Sequence, residues 1–203
     1  MNPTTALKRV VLTKLRPTQA SVGRRQVDQK RAKWRALNKK GRRKFLKGHL
    51  IPTVIGPKGR PYAIDDHHLA MALLEEGVER AFTTVVADLS CLAKPSFWRY
   101  LDNRSWCHPY DDRGERQAFK IIPKALGDMT DDPFRGLAGE LREHGGFAKD
   151  LTLFEEFLWA DFLRGRIGRQ LVVNDFDAAM AKALKLAKSD DAQFLPGWCG
   201  PSA

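Results

Sequence analysis

Apolar residues recur along this chain in two rhythms. Up to about residue 92 they come in short β-branched runs, and beyond it they return every three or four positions. Val10, Val11, Leu12 and Leu15 predict a short strand that Pro17 ends, followed by a polar turn over residues 18–23. Residues 49–55 are β-branched and run into Gly56-Pro57-Lys58-Gly59, after which Tyr62, Ala63 and Ile64 resume the apolar pattern, so the two runs predict a hairpin. A helix is expected after Asp65 and Asp66, carrying Leu69, Leu73 and Leu74 to Gly77, with either aspartate as N-cap and the glycine at its end. Residues 82–88 read as a strand by composition.

Downstream the helical period takes over, at residues 96–101, 123–126, 133–143, 153–166 and 175–188. The last of these places Phe176, Ala179, Met180, Ala183, Leu184 and Ala187 on one face. The pattern predicts an α+β chain: a mixed head over residues 1–92 and a helical C-terminal part over residues 93–203 packed on it. No internal repeat interrupts it.

Charge changes the picture at one end. The chain has 203 residues and a formal net charge of +11. Residues 1–60 hold 18 of the 35 Lys and Arg against one acid, Asp28, which makes that segment +17 and leaves the remainder at −6. Val27, Trp34 and Leu37 within it fall near helical spacing, so residues 24–47 predict a basic amphipathic helix with Gly41 as its break. Arg24, Arg25, Lys39, Lys40, Arg42, Arg43 and Lys44 are the candidate nucleic-acid patch. No base-reading motif accompanies them, so DNA contact would run through phosphates, without sequence specificity and with steep salt dependence. The competing reading is that these cations meet the acidic remainder of the same chain.

Other classes lose support. Cys91, Cys107 and Cys199 are odd in number and far apart, which argues against a disulfide framework or a cysteine-rich zinc site and for a cytoplasmic home. Lys8, Arg9, Lys14 and Arg16 interrupt any signal-like run, and no stretch nears the roughly 20 apolar residues of a membrane span. HExxH and GxSxG are both absent, so zinc-protease and hydrolase-triad chemistry have no anchor.

The sharpest chemical feature is Asp65-Asp66-His67-His68 at the expected strand-to-helix junction. A helix N-terminus offers unpaired N–H groups to a phosphate, imidazoles exchange protons, and a carboxylate such as Asp65 can take a hydroxyl or a magnesium ion. Adjacent histidines point about 100° apart on a helix, so at most one is expected to share a site with Asp65, and the plain alternative is that Asp65 caps the helix and one histidine packs inward. Gly145-Gly146-Phe147-Ala148-Lys149 is a loose phosphate-clamp candidate or simply a helix end. Asp131-Asp132-Pro133-Phe134-Arg135 reads as an N-capped helix with Pro in its first turn, and Asp161 stands among aromatics, where an ion pair with Arg164 is the plain alternative.

These residues resemble the ParB/sulfiredoxin superfamily, in its ParB-like nuclease branch. The likeness runs from Leu15-Arg16-Pro17-Thr18-Gln19 and Val22-Gly23 through the Asp65 to Ala70 box, then Asp131 to Arg135, Gly145 to Lys149 and Glu156 to Phe162, over about residues 7–198. It implies a ParB/sulfiredoxin-like α/β head whose strand-to-helix box binds nucleotide phosphates. The partition proteins and kinases of the superfamily usually place an Arg where this chain has Leu69, and the branch usually has a His where it has Asp66. The resemblance implies phosphate or nucleotide contacts at Gln19, Gly23, Asp66, Leu69, Ala70, Arg135 and Lys149. It implies catalytic roles at Asp65, His67, His68, Glu156 and Asp161, with ATP, ADP or CTP and magnesium as cofactors. The expected activity is phosphoryl transfer, to a small hydroxyl substrate or by nucleotide hydrolysis. The alternatives are a DNA-binding nuclease or partition-type protein, and a non-enzymatic interaction module. Lys149 and Asp161 are expected to approach the Asp65–His68 cleft.

Overall fold

The computed structural model describes residues 6–201. The chain is mixed α+β and divides into two compact units, one holding Val27–Thr130 with the chain up to Val22, the other holding Gly23–Gln26 and the chain from Asp131. The division falls after Thr130, whereas the change of pattern in the sequence falls after residue 92.

In the first unit the strands are β1 (Ala6–Val11), β2 (Ser21–Val22), β3 (Ile51–Gly56), β4 (Arg60–Ala63) and β5 (Arg80–Asp88). The helices are α1 (Arg24–Arg35, which starts in the second unit), α2 (Lys39–Gly48), α3 (His67–Glu75) and α4 (Lys94–Asn103). Four strands form a mixed sheet in the order β1-β5-β3-β4, with β5 antiparallel to β1 and parallel to β3. Strand β5 alternates as its composition demands: Ala81, Thr83 and Val85 are buried, while Phe82 and Thr84 on its other face are only partly so. The buried Thr83 hydroxyl is satisfied by Lys8 O at 3.3 Å. Leu12, Leu15 and Ile51 pack with Leu69 and Leu73 of α3 in one core cluster, and Tyr62, Phe97, Trp98 and Leu101 form a second. Burying a side chain of this kind contributes about 1.5–3 kcal/mol.

Several expectations change. The run over residues 10–15 is the end of β1 followed by a 3-10 turn at Leu12–Lys14. The polar turn expected at residues 18–23 is interior: Thr18, Gln19 and Ser21 are 1%, 6% and 3% exposed. The basic helix breaks before Asn38, not at Gly41. Asn38 caps α2 by accepting the Gly41 N–H at 2.8 Å, which puts the glycine inside a helix. Residues 123–126 do not form an α-helix: residues 123–125 are irregular, and only a 3-10 turn at Leu126–Asp128 follows. Gly77 has φ +71° just beyond α3, the left-handed position that suits glycine.

The basic segment partly meets its own chain. Arg31 and Arg35, one helical turn apart on α1, grip Glu76 at 2.8 and 2.7 Å, and Arg31 also reaches Glu75 at 2.9 Å. Arg42 donates to the carbonyls of Trp34 and Arg35 at the end of α1, a favourable place for a cation.

The second unit contains α5 (Pro133–Glu143), α6 (Glu155–Arg164), α7 (Arg169–Asn174) and α8 (Phe176–Ala187), and the two-residue strand β6 (Thr130–Asp131) straddles the division. Phe134, Leu137, Leu141, Trp159 and Leu163 pack with Ala179, Ala183 and Ala187, whose small side chains let α8 approach closely. Asp132 caps α5 as expected, accepting the Phe134 N–H at 3.0 Å. No helix among the described residues is long and apolar enough to cross a membrane.

Candidate functional site

The hairpin formed by β3 and β4 delivers the chain to α3 through Ile64, Asp65 and Asp66. Asp66 is left-handed, with φ 57° and ψ 31°. That conformation costs most non-glycine residues about 1–2 kcal/mol, and Asp and Asn tolerate it best. The Asp66 N–H donates to Asp65 Oδ1 at 2.7 Å, so Asp65 braces the turn instead of capping the helix. Asp66 makes no side-chain cap bond either, contrary to the capping expected of it. Its carbonyl accepts the first helical bond, from Ala70 N–H at 2.9 Å. Helix α3 therefore begins with its positive dipole end and with no cap bond from the Asp66 side chain.

The two histidines diverge. His67 is buried, and its Nε2 accepts the backbone N–H of Thr18 at 3.0 Å. In the neutral ring that bond places the proton on Nδ1. Thr18 also donates its hydroxyl to Ala63 O at 2.9 Å, and its carbonyl accepts the His108 N–H at 2.9 Å. Leu69 and Ala70 are buried in the core, so they offer backbone rather than side-chain chemistry. Asp66 and His68 are partly buried and Asp65 is exposed, so these three are the members of the box open to solvent, and of them Asp65 and His68 are the ones outside the strained position.

Gln19 follows Thr18 and is therefore one residue from the latch onto α3. Its side chain is buried, and its Nε2 has no hydrogen-bond partner among the described residues. A buried amide donor left unpaired costs about 1–3 kcal/mol, and an anion is the kind of group that would satisfy it. The fit of magnesium is poorer: no three His, Cys, Asp or Glu converge as a ligand set among the described residues, so Asp65 stands alone in that role.

The other residues singled out lie in the second unit, and Glu156, Asp161 and Arg135 have partners there. Glu156 pairs with Arg142 at 2.5 Å and accepts from Gln26 Nε2 at 3.3 Å. Asp161 pairs with Arg164, which also binds the buried Asp132 at 2.5 Å. Burial pushes the Asp132 carboxyl up, against the pull of Arg164 and Arg135. Arg135 is buried with its guanidinium 3.5 Å from the centre of the Phe157 ring. Lys149 is exposed on the loop between α5 and α6. A Cβ on Gly23 would lie 2.6 Å from the backbone nitrogen of Gly136, which accounts for Gly23 by close packing.

The basic patch separates by environment. Arg24 N–H bonds Asp131 at 2.8 Å, and Arg25 stacks on Phe176 at 3.4 Å. Lys39, Lys40, Arg43 and Lys44 are exposed on α2. Thr18 escapes a reading of the sequence because a Thr-Gln pair after a proline has the polarity of a surface turn. Arg9 and Phe82 escape it because they become neighbours only through the β1–β5 register.

The family described as Putative ParB-like nuclease matches residues 8–165. The crystal structure of protein Atu1540 from Agrobacterium tumefaciens superposes with a TM-score of 0.92 at 50% identity, covering 98% of this chain and 100% of that one. No curated protein matches the chain.

Proposed function

We propose, for a chain that belongs to the Putative ParB-like nuclease family, that the start of α3 binds a phosphate ester of nucleic acid and supports its hydrolysis. The observation that carries this reading is the buried Gln19 Nε2, without a partner among the described residues, one residue from the Thr18–His67 latch. Gln19 Nε2 and the first-turn N–H groups of α3 would hold the non-bridging oxygens, where fixed donors favour the charge that builds in the transition state. His67 would act as a positioning residue, because its Nε2 is already committed to Thr18.

Asp65 and His68 would carry the proton transfers. As a water oxygen bonds to phosphorus, Asp65 would take the water's proton. The bond to the leaving oxygen breaks, and His68 would supply the proton that oxygen needs. The family description favours a phosphodiester over a nucleotide as the ester. ATP, ADP or CTP would present the same phosphate chemistry to the same donors.

An end-labelled oligonucleotide tests this. Cleavage should fall at least 100-fold in Asp65→Asn and in His68→Ala, with folding unchanged. Full cleavage by both variants would remove the assignment. Nucleotide hydrolysis without oligonucleotide cleavage would transfer the site to the nucleotide reading.

A further inference from the structure

Beside α2 lies a concavity of about 550 Å³ lined by Arg9, Arg43, Lys44, Leu46, Lys47 and Phe82. Four of the six lining residues are cations and none is an acid. The four differ from Arg31, Arg35 and Arg42 of the same segment. Arg31 and Arg35 are neutralised by Glu75 and Glu76, and Arg42 is spent on carbonyls, whereas Arg9, Arg43, Lys44 and Lys47 have no carboxylate partner among the described residues. Like charges gathered without a counter-charge raise each other's energy, and an anion entering the groove relieves that cost.

The floor is apolar. Phe82 lies opposite Arg9 in the β1–β5 register, with the Arg9 guanidinium 5.3 Å from the ring centre, and Leu46 of α2 adds to it. Phe82 is only partly buried. An aromatic on an open sheet face, rimmed by long cations, suits a strand whose bases are free to stack while its phosphates reach the rim. In a duplex each base is covered by its neighbours, so Phe82 would gain nothing from it.

We infer that the groove between α2 and the β1–β5 edge binds single-stranded nucleic acid, with a base on Phe82 and phosphates on Arg43, Lys44, Lys47 and Arg9. This goes beyond the reaction assigned to α3, since the grip needs no chemistry at Asp65 or His68.

Fluorescence anisotropy of the full chain with a labelled oligothymidylate and a hairpin duplex is the test. Phe82→Leu keeps the apolar volume and loses the stacking, so it should weaken oligothymidylate binding about tenfold and leave the salt slope unchanged. Replacing Arg43, Lys44 and Lys47 with Gln should lower that slope by about 2. Asp65→Asn with His68→Ala should keep wild-type affinity, so loss of cleavage and loss of the grip are read separately. Wild-type affinity in Phe82→Leu, equal affinity for the duplex, or binding to anionic vesicles or polyglutamate in place of the oligonucleotide would each overturn the inference.

Discussion

Thr18 and His67 stand 49 residues apart in sequence, and the backbone N–H of one meets the ring Nε2 of the other at 3.0 Å in the interior of the first unit. That bond ties the buried segment after Pro17 to the first residue of α3. Removing the ring leaves a buried N–H without its acceptor and opens a cavity. His67→Ala should therefore lose about 2–4 kcal/mol of stability in urea denaturation. A loss below about 0.5 kcal/mol would show that the latch carries little.

Glu76 contributes to the acid response of the first unit. Hydrogen bonds from Arg35 and then Arg31 hold its carboxyl at about 2, below its ordinary value of 4.5. A folded value below the unfolded one stabilises the fold above about pH 4.5, and that contribution is lost as pH falls toward 2. Glu76→Gln should lower the melting temperature at pH 7 and flatten its decline between pH 4.5 and 2. Parallel pH profiles for the two proteins would contradict the pairing.

Asp66 separates backbone need from chemistry. Glycine accepts its left-handed conformation freely, whereas valine does not. Asp66→Gly should fold at least as stably as the native chain, and Asp66→Val should lose about 1–2 kcal/mol. Equal melting temperatures for the two would show that the turn relaxes without strain.

Much of this architecture was legible along the chain. The β3–β4 turn, β5 and the helices α5 and α8 announce themselves through Gly56-Pro57, β-branched alternation and capping aspartates, and α6 through its apolar spacing alone. What stayed hidden was long-range. Thr18 and Gln19 are polar, and only partners far along the chain make their burial possible. Gly41 reads as a helix breaker until Asn38 is seen to cap the helix that contains it. Helix α7 is six residues long, too short for a periodicity to register. At the box, the sequence narrowed the inward histidine to one of two, and the partner that decides it is Thr18.

Cysteine chemistry checks the first unit independently. Burial, with a smaller push from Asp102, raises the Cys107 thiol to about 12, while Cys91 and Cys199 are exposed. At pH 8 a thiol reagent should modify two cysteines rapidly in the native chain and the third only on unfolding. Three fast reactions would contradict the packing around Cys107.

The proposed phosphate site depends on the Gln19 amide nitrogen, and one substitution separates its binding from stability. Gln19→Leu keeps similar volume while removing a buried donor that has no partner among the described residues. Calorimetric titration with a non-hydrolysable dinucleotide, beside a thermal melt, measures both effects. The account predicts affinity lower by about 10- to 100-fold, as for loss of a hydrogen bond to a charged group, with a melting temperature equal to or above that of the native chain. Unchanged affinity in a well-folded Gln19→Leu protein would contradict it.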